Sequence, residues 1–513
     1  MPGNTTMDTE HTAKGSLLRS AGRGAAWQVA GGGWQAAVRL GASVVLARLL
    51  TPMDFGIVSM AILGRELIRQ VGNLGMGAGI IAKKDLSRED LNTCFWCMTC
   101  ASLALMALAY AGAPLVGMFF RTEEMVPVLR VVSLTLILDF VRIVPVMILQ
   151  RELRFRPLIL IRSAAVVLEL SLAILLVVSF GYAYWALVCG MLLASFFITA
   201  LVFYCAGWLP GMAMNRQSLK YFMHFGLNLQ GFSVVNFLHQ HLDYILIGRI
   251  LGTVSLGYYQ FATKIPYLFK QRIASPLAAV IFPTISRFQD QDDQLLRGYS
   301  KAIQYIALGI FPAMGGLAVL ARELVTVLWG QSWLPVVLPM QIFCVCGAVR
   351  CIMTPIGSVF NSKHRPDLLF KFSLFQLGVT LVAVGALGYF FGLNGVAFGM
   401  LIVQLGSLVQ LKMMAVLVNA SLTTVLASLK QAFWATAFMM AVLWPIKMTL
   451  TQSGLQAYLI LLCTVPLGVV IYVLSLRLLY RDVFDDVLET ANRVVGEQNM
   501  QKVRRLAGLA SRV

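Results

Sequence analysis

The chain has 513 residues, of which 58% are hydrophobic and 12% charged, with a formal net charge of +18. That charged share is about half of what a soluble globular domain carries, and a mean hydropathy of +0.78 excludes a soluble enzyme or a solvated multidomain chain. A net positive charge of this size would suit nucleic acid, but its distribution along the chain does not.

Residues 1–24 are polar and contain no short apolar stretch followed by a cleavage site, so they read as a cytoplasmic tail. Beyond them, apolar runs of bilayer-crossing length, about 20 residues each, follow one another with short breaks. Spans are expected at 25–50, 55–81, 92–119, 126–150, 158–180, 184–208, 220–250, 256–283, 299–321, 335–360, 368–391, 393–416, 425–449 and 453–478. The expected fold is therefore an all-α membrane protein with about 14 transmembrane helices. Residues 479–513 form a second cytoplasmic tail, in which Phe484, Val487, Leu488, Ala491 and Val495 share one side of an amphipathic pattern.

Cations alternate from loop to loop. One set holds Lys14, Arg19 and Arg23, then Lys83, Lys84 and Arg88, then Arg151, Arg154 and Arg156, then Arg216 and Lys220, Arg287 and Arg297, Lys363 and Arg365. The intervening loops hold Arg121 beside Glu123 and Glu124, Arg322 beside Glu323, and Lys447. This is the positive-inside pattern kept through the chain, with both termini cytoplasmic. It leaves no basic face for nucleic acid.

Two stretches repeat. Ala47–Gly56 (ARLLTPMDFG) aligns with Gly248–Gly257 (GRILGTVSLG), 201 residues on, and Ala61 aligns with Ala262. Gly181 and Ala186 align with Gly392 and Ala397 at an offset of 211. Six spans separate the members of each pair, and an even number preserves direction. The expectation is two parallel-repeat six-helix lobes around a central cavity, 25–208 and 209–416, followed by two further helices at 417–478. Transporters built this way hold their solute between the lobes.

The polar residues inside the spans follow the same repeat. Gln28, Gly32, Gln35 and Arg39 recur at helical spacing in the first span, and Ser233, Asn236, Gln240 and Asp243 do so in the seventh. Such stripes are costly in lipid and must face protein or water; interhelical hydrogen bonding is the alternative to a shared cavity wall. Span two adds Arg65, Glu66 and Arg69, and span four Arg130, Asp139 and Arg142. Lys270 in span eight is the repeat mate of Arg69, with Lys264 nearby, and Arg350 lies in span ten. Each charge costs about 2.5–3.5 kcal/mol at a helix centre unless paired or wet, so Asp139 is expected to meet Arg142, and Glu66 Arg69. The basic surplus suits an anionic cargo, phosphate above all. Trp27, Trp34, Tyr258, Tyr259 and Tyr267 could face sugar rings or simply pack. Arg39, Arg65, Arg69, Arg142, Lys270, Gln35, Asn236 and Gln240 are the candidate substrate-binding residues, and Glu66, Asp139 and Asp243 the candidate ion-coupling acids. Cys94, Cys97 and Cys100 have a cluster-like spacing without His or acidic neighbours, and His224, His239 and His241 lack a metal motif. No catalytic group, metal or cofactor is expected.

From Ala47–Gly56 onward the chain resembles the polysaccharide transporter family of Wzx-type and colanic-acid-type oligosaccharide flippases, in the multidrug/oligosaccharidyl-lipid/polysaccharide (MOP) superfamily. The resemblance continues through Gly72–Gly77 (GNLGMG), Leu149–Phe155 (LQRELRF), Tyr184–Val188 (YWALV) and Phe282–Ser286 (FPTIS). Ala183 replaces a usual glycine, and span three is rich in cysteine. The resemblance implies a MOP flippase fold in a bacterial inner membrane and a non-enzymatic role in exopolysaccharide, capsule or O-antigen synthesis. It further implies outward flipping of an undecaprenyl-diphosphate-linked repeat unit by alternating access. A proton or Na⁺ gradient, surrounding lipids, a polysaccharide polymerase and export machinery are the implied partners. An ion-coupled drug or small-solute antiporter of the same superfamily is the alternative; it would want an acidic cavity.

Overall fold

A computed structural model of the chain describes residues 30–72, 79–81, 83, 85–275, 291–486 and 489. Trp27, Gln28, most of the Gly72–Gly77 motif, the Phe282–Ser286 motif and the tail beyond 489 lie outside the described residues, as do the side chains of Ser233 and Asn236.

Among the described residues all regular structure is helical. In chain order the helices are α1 (30–49), α2 (Pro52–Gly72), α3 (Arg88–Phe120), α4 (Met125–Val141), α5 (Ile143–Arg151), α6 (Phe155–Phe180), α7 (Ala183–Ala206), α8 (Arg216–Ile250) and α9 (Gly252–Phe269). There follow α10 (Asp292–Val319), α11 (Ala321–Leu328), α12 (Val337–Ile352), α13 (Ile356–Ser362), α14 (Pro366–Leu417), α15 (Leu422–Ala427), α16 (Lys430–Gln452) and α17 (Ala457–Leu479).

Nine helical stretches among the described residues are long and apolar enough to cross a bilayer. One of them, Asp367–Leu417, has 51 residues and a break at Gly392 (φ 60°, ψ −143°), where two spans were expected. At 1.5 Å per residue it is about 77 Å long, enough for two crossings. The other expected crossings coincide with α1, α2, α8 and α9, which are too polar to qualify by composition. These are spans one, two, seven and eight, the first two of each repeat. The outward faces are apolar in the way lipid requires: Leu115, Val178 and Leu478 are 67%, 67% and 79% exposed.

Local sequence sets the helix ends. Ser87 and Asp90 form a reciprocal capping box at the start of α3, with hydrogen bonds of 3.1 and 2.9 Å. Thr51 and Asp54 do the same before α2. Glycines at positive φ end α6 (Gly181, 67°) and α7 (Gly207, 60°).

The backbone forms two compact units. The first comprises the described parts of Met1–Lys264, Leu328–Pro339 and Lys371–Val403. Its core includes Cys94, Phe95, Met98, Leu136, Phe140, Trp208 and Phe222. The second comprises the described parts of Ile265–Val327, Met340–Phe370 and Gln404–Val513. There Tyr299, Ile303, Ile306 and Ile310 of α10 are buried, and the Tyr472 hydroxyl donates to the Leu308 carbonyl at 2.8 Å.

The sequence duplication recurs in detailed geometry. In the first unit a Cβ on Gly56 would lie 1.9 Å from the Thr253 carbonyl oxygen, and one on Gly257 would lie 2.0 Å from that of Pro52. All these partners pair at the 201-residue offset, so α2 and α9 meet reciprocally, as in an isologous contact. Ser59 Oγ donates to Gln260 Oε1 at 2.7 Å across the same contact, again 201 residues apart. At the 211 offset, Leu153 (φ 57°) and His364 (φ 55°) both adopt the left-handed conformation. The next amides, Arg154 and Arg365, bond the Leu149 and Phe360 carbonyls at 2.8 and 2.9 Å. The amides of Arg142 and Met353, at the preceding helix breaks, bond Leu138 and Val349.

One expectation is corrected. Lys447 is no loop cation: it lies in α16, 8% exposed, with its ammonium 3.1 Å from Glu323 and 2.9 Å from the Val319 carbonyl. A buried ammonium needs such partners, and Glu323, itself buried, supplies the charge.

Candidate functional site

The first unit gathers the charges of α2 and α4 into one network. Arg65 is 9% exposed; its guanidinium donates to Thr135 Oγ1 at 2.6 Å and pairs with Glu66. It also lies 3.2 Å from Asp139 Oδ2. Arg69 Nε reaches the second Glu66 oxygen at 2.6 Å, and Arg142 pairs with the second Asp139 oxygen. The result is a chain, Arg69–Glu66–Arg65–Asp139–Arg142, in which three guanidiniums face two carboxylates. Helical spacing makes it: Glu66 and Arg69, like Asp139 and Arg142, sit three residues apart on one face. Both expected pairs are present, and Arg65 joins them into one unit. Arg65 Nε and Arg142 Nη1 are buried without a hydrogen-bond partner.

Arg142 also lines a cavity of about 260 Å³ with Gln35, Arg39, Arg162 and Glu169, walled on its apolar side by Val146, Leu158 and Val202. The polar stripe of α1 thus faces α6: Gln35 donates to Ser163 Oγ at 3.3 Å, and Arg39 pairs with Glu169 at 3.1 Å. These bonds join helices and line a cavity at once. Gly190 lets α7 approach closely, since a Cβ there would meet the Glu169 carbonyl oxygen at 2.5 Å. Arg162 and Glu169 were absent from the expected set. Their signal was available: they are the sole charged residues between 158 and 180, seven apart and therefore on one helix face.

The remaining candidates are placed separately. Asp243 of α8 is buried and accepts hydrogen bonds from the Tyr259 hydroxyl and the Tyr244 amide, so Tyr259 is committed to that bond. Gln240 is exposed on the same helix, and Asn236 lies on it with its side chain outside the described set. Lys270 belongs to the second unit, at the start of a single π turn, Lys270–Ala274, four residues after Pro266. Its ammonium lies 5.8 Å from the Tyr267 ring centre, and the Arg350 guanidinium 5.7 Å from the same ring. Guanidinium-rich polar clusters held inside apolar helices can bind and neutralise an anion at bilayer depth.

This architecture is that of a multi-pass helical membrane protein with a MOP superfamily fold. It superposes on the lipid II flippase MurJ in an inward closed conformation with a TM-score of 0.71, covering 88% of this chain and 98% of that one at 15% identity. An inward-facing multidrug resistance MATE family transporter of the MOP superfamily matches at a TM-score of 0.58, over 75% and 96% of the two chains at 17% identity. A family model described as polysaccharide biosynthesis protein matches residues 45–338, and the chain belongs to that family. The lipopolysaccharide biosynthesis protein WzxC of Escherichia coli (strain K12) is 26% identical over 368 residues, 70% of this chain and 74% of that protein. The chain is thus a helical membrane protein of polysaccharide biosynthesis, with the fold of MOP superfamily transporters.

Proposed function

We propose that the protein flips an undecaprenyl-diphosphate-linked oligosaccharide repeat unit outward across the bacterial inner membrane, for exopolysaccharide, capsule or O-antigen synthesis. In this reading α1, α2, α8 and α9 also cross, giving 14 spans with both termini cytoplasmic. The lobes 25–208 and 209–416 alternate access around a cavity, and 417–478 adds two helices. Arg39, Arg65, Arg69, Arg142 and Lys270 attract the diphosphate, while Gln35, Asn236 and Gln240 bond the sugars. Glu66, Asp139 or Asp243 binds the coupling proton or Na⁺, and a polymerase and export machinery receive the product.

The observation that carries the reading is the sign of the polar clusters. Three guanidiniums against two carboxylates, beside a cavity holding Arg39, Arg142 and Arg162 against Glu169, leave cation in excess. A lipid-linked diphosphate has the opposite sign. The names of WzxC and MurJ point the same way. The MATE likeness favours a drug antiporter as the second reading, and the cationic surplus weighs against it.

The test is polysaccharide export in a deletion strain complemented with Arg39→Ala, Arg69→Ala or Lys270→Ala, normalised to protein in the membrane. Loss of export at normal abundance is expected for at least Arg69→Ala and Lys270→Ala. Normal export by all three would remove the cationic-cavity reading and raise the drug antiporter.

A further inference from the structure

The two repeats carry the same charge cluster in different chemistry. At the 201 offset, fixed by the reciprocal Gly56 and Gly257 contacts and the Ser59–Gln260 bond, Glu66 corresponds to Tyr267 and Arg69 to Lys270. At the 211 offset, fixed by the matching helix breaks and the Leu153 and His364 turns, Asp139 corresponds to Arg350. The correspondence is spatial as well as sequential. In the first repeat Glu66 pairs with two cations; in the second, Tyr267 has two cations, Lys270 and Arg350, at 5.8 and 5.7 Å from its ring centre.

The balance of charge differs sharply. Both carboxylate positions of the first cluster are filled in the second by a phenol and a guanidinium. Among the described residues no Asp or Glu forms an ion pair with Lys270 or Arg350. A ring face offers a cation less than a full counter-charge does, and two like charges within reach of one ring repel. The first cluster offsets two of its three cations internally; the second, among the described residues, offsets neither. It is also accessible: Tyr267 is 39% exposed and both cations are half-buried. A planar guanidinium and an ammonium gathered on one ring suit a tetrahedral oxyanion, which accepts the fork on two oxygens and the point charge on a third.

We propose that Lys270 and Arg350, both on the ring of Tyr267, form an oxyanion site for a phosphate group, with no carboxylate to offset them as Glu66 and Asp139 partly offset the cations of the first cluster. This rests on the flippase reading insofar as the phosphate belongs to the cargo headgroup. It assigns Arg350 a role in ligand binding and makes the two repeats unequal: one offsets most of its positive charge internally, the other offers all of it to a ligand.

Titration calorimetry on the full-length protein in nanodiscs, with inorganic diphosphate and undecaprenyl diphosphate as separate probes, tests the site. Lys270→Met and Arg350→Met should each weaken binding at least tenfold. Tyr267→Glu, which returns the acid of the first repeat while keeping both cations, should do the same at an unchanged melting temperature. Arg130→Met, a cation stacked on Tyr110 elsewhere, should bind as wild type does. Binding of both probes, or of the lipid alone, supports the site with the cargo headgroup as its ligand. Binding of inorganic diphosphate alone supports an oxyanion site filled by free phosphate. Wild-type affinity in Lys270→Met, Arg350→Met or Tyr267→Glu overturns the proposal, as does a wild type that binds neither probe. Export in the complemented deletion strain reports on the flippase reading separately: if deletion leaves export intact, that reading fails whatever the calorimetry shows.

Discussion

Gly56 and Gly257 hold equivalent positions in the two repeats and each lies against the backbone opposite the other: Gly56 on the Thr253 carbonyl, Gly257 on the Pro52 carbonyl. Neither neighbour is a flexible side chain that could yield. A methyl group at either site forces the helices apart, and overpacking of this kind costs about 1–3 kcal/mol. Gly56→Ala and Gly257→Ala should therefore lower the melting temperature of the detergent-solubilised protein by similar amounts. Gly33→Ala and Gly316→Ala, with nothing within 4 Å of the added atom, should not. A large drop in only one of the first pair would show that the contact is not reciprocal.

The Arg65–Asp139–Arg142 arrangement makes a second prediction, about stability. Asp139 is shared by two guanidiniums, and its side chain is 11% exposed. Removing one partner of a buried pair costs about 3–5 kcal/mol, because the other charge stays buried alone. Arg142, at 23% exposed, and Arg65, which keeps Glu66 and Thr135, put Asp139→Ala at the lower end of that range. Asp139→Ala/Arg142→Ala should recover part of the lost membrane abundance. Glu66→Ala should cost less on the Arg69 side, since Arg69 is 38% exposed and partly solvated. A double mutant no better than Asp139→Ala would mean the pair does not stabilise the fold.

What was legible in the sequence was whatever leaves a periodic or local mark. The apolar runs, the duplicated Ala47–Gly56 segment and the three-residue pairs Glu66–Arg69 and Asp139–Arg142 are all set by helix geometry, and the structure shows each of them. Residues joined across helices left no such mark. Arg65 reaches Asp139 and Arg39 reaches Glu169 only because α2 packs on α4 and α1 on α6. Lys447 misled because a cation near a helix end reads as a loop residue until its buried partner, Glu323, is known. Tyr267 reads as a sugar platform or a packing residue in the sequence; its contact with two cations emerges only when the repeats are matched residue by residue.

Gradient coupling gives a third prediction. Glu66 and Asp139 are held by guanidiniums, and Asp243 by the Tyr259 hydroxyl and the Tyr244 amide. Glu66→Gln, Asp139→Asn and Asp243→Asn keep the shape and remove the charge. One of them should abolish gradient-driven transport in proteoliposomes while cargo binding stays measurable. If all three transport normally, coupling does not run through these acids.

Topology is the fourth prediction, and the matching turns sharpen it. Leu153 and His364 end equivalent helices in the same left-handed conformation with the same amide bonds, each beside a cationic run. Repeat units that are parallel must place both turns on one side of the membrane, and the positive-inside rule makes that side cytoplasmic. Gly181 and Gly392, the next turns along, must share the opposite side. In a cysteine-free background, single cysteines at the exposed positions Glu123, Val254 and Asn394 should react with an impermeant maleimide added to intact cells. Cysteines at Arg154 and His364, also exposed, should react only after permeabilisation. Reaction of both from outside would invert the orientation yet keep the repeats parallel. Reaction of one from outside and the other only from inside would require an odd number of crossings between residues 154 and 364. It would mean that α8 and α9 do not both cross, and the parallel two-lobe arrangement would fall with them.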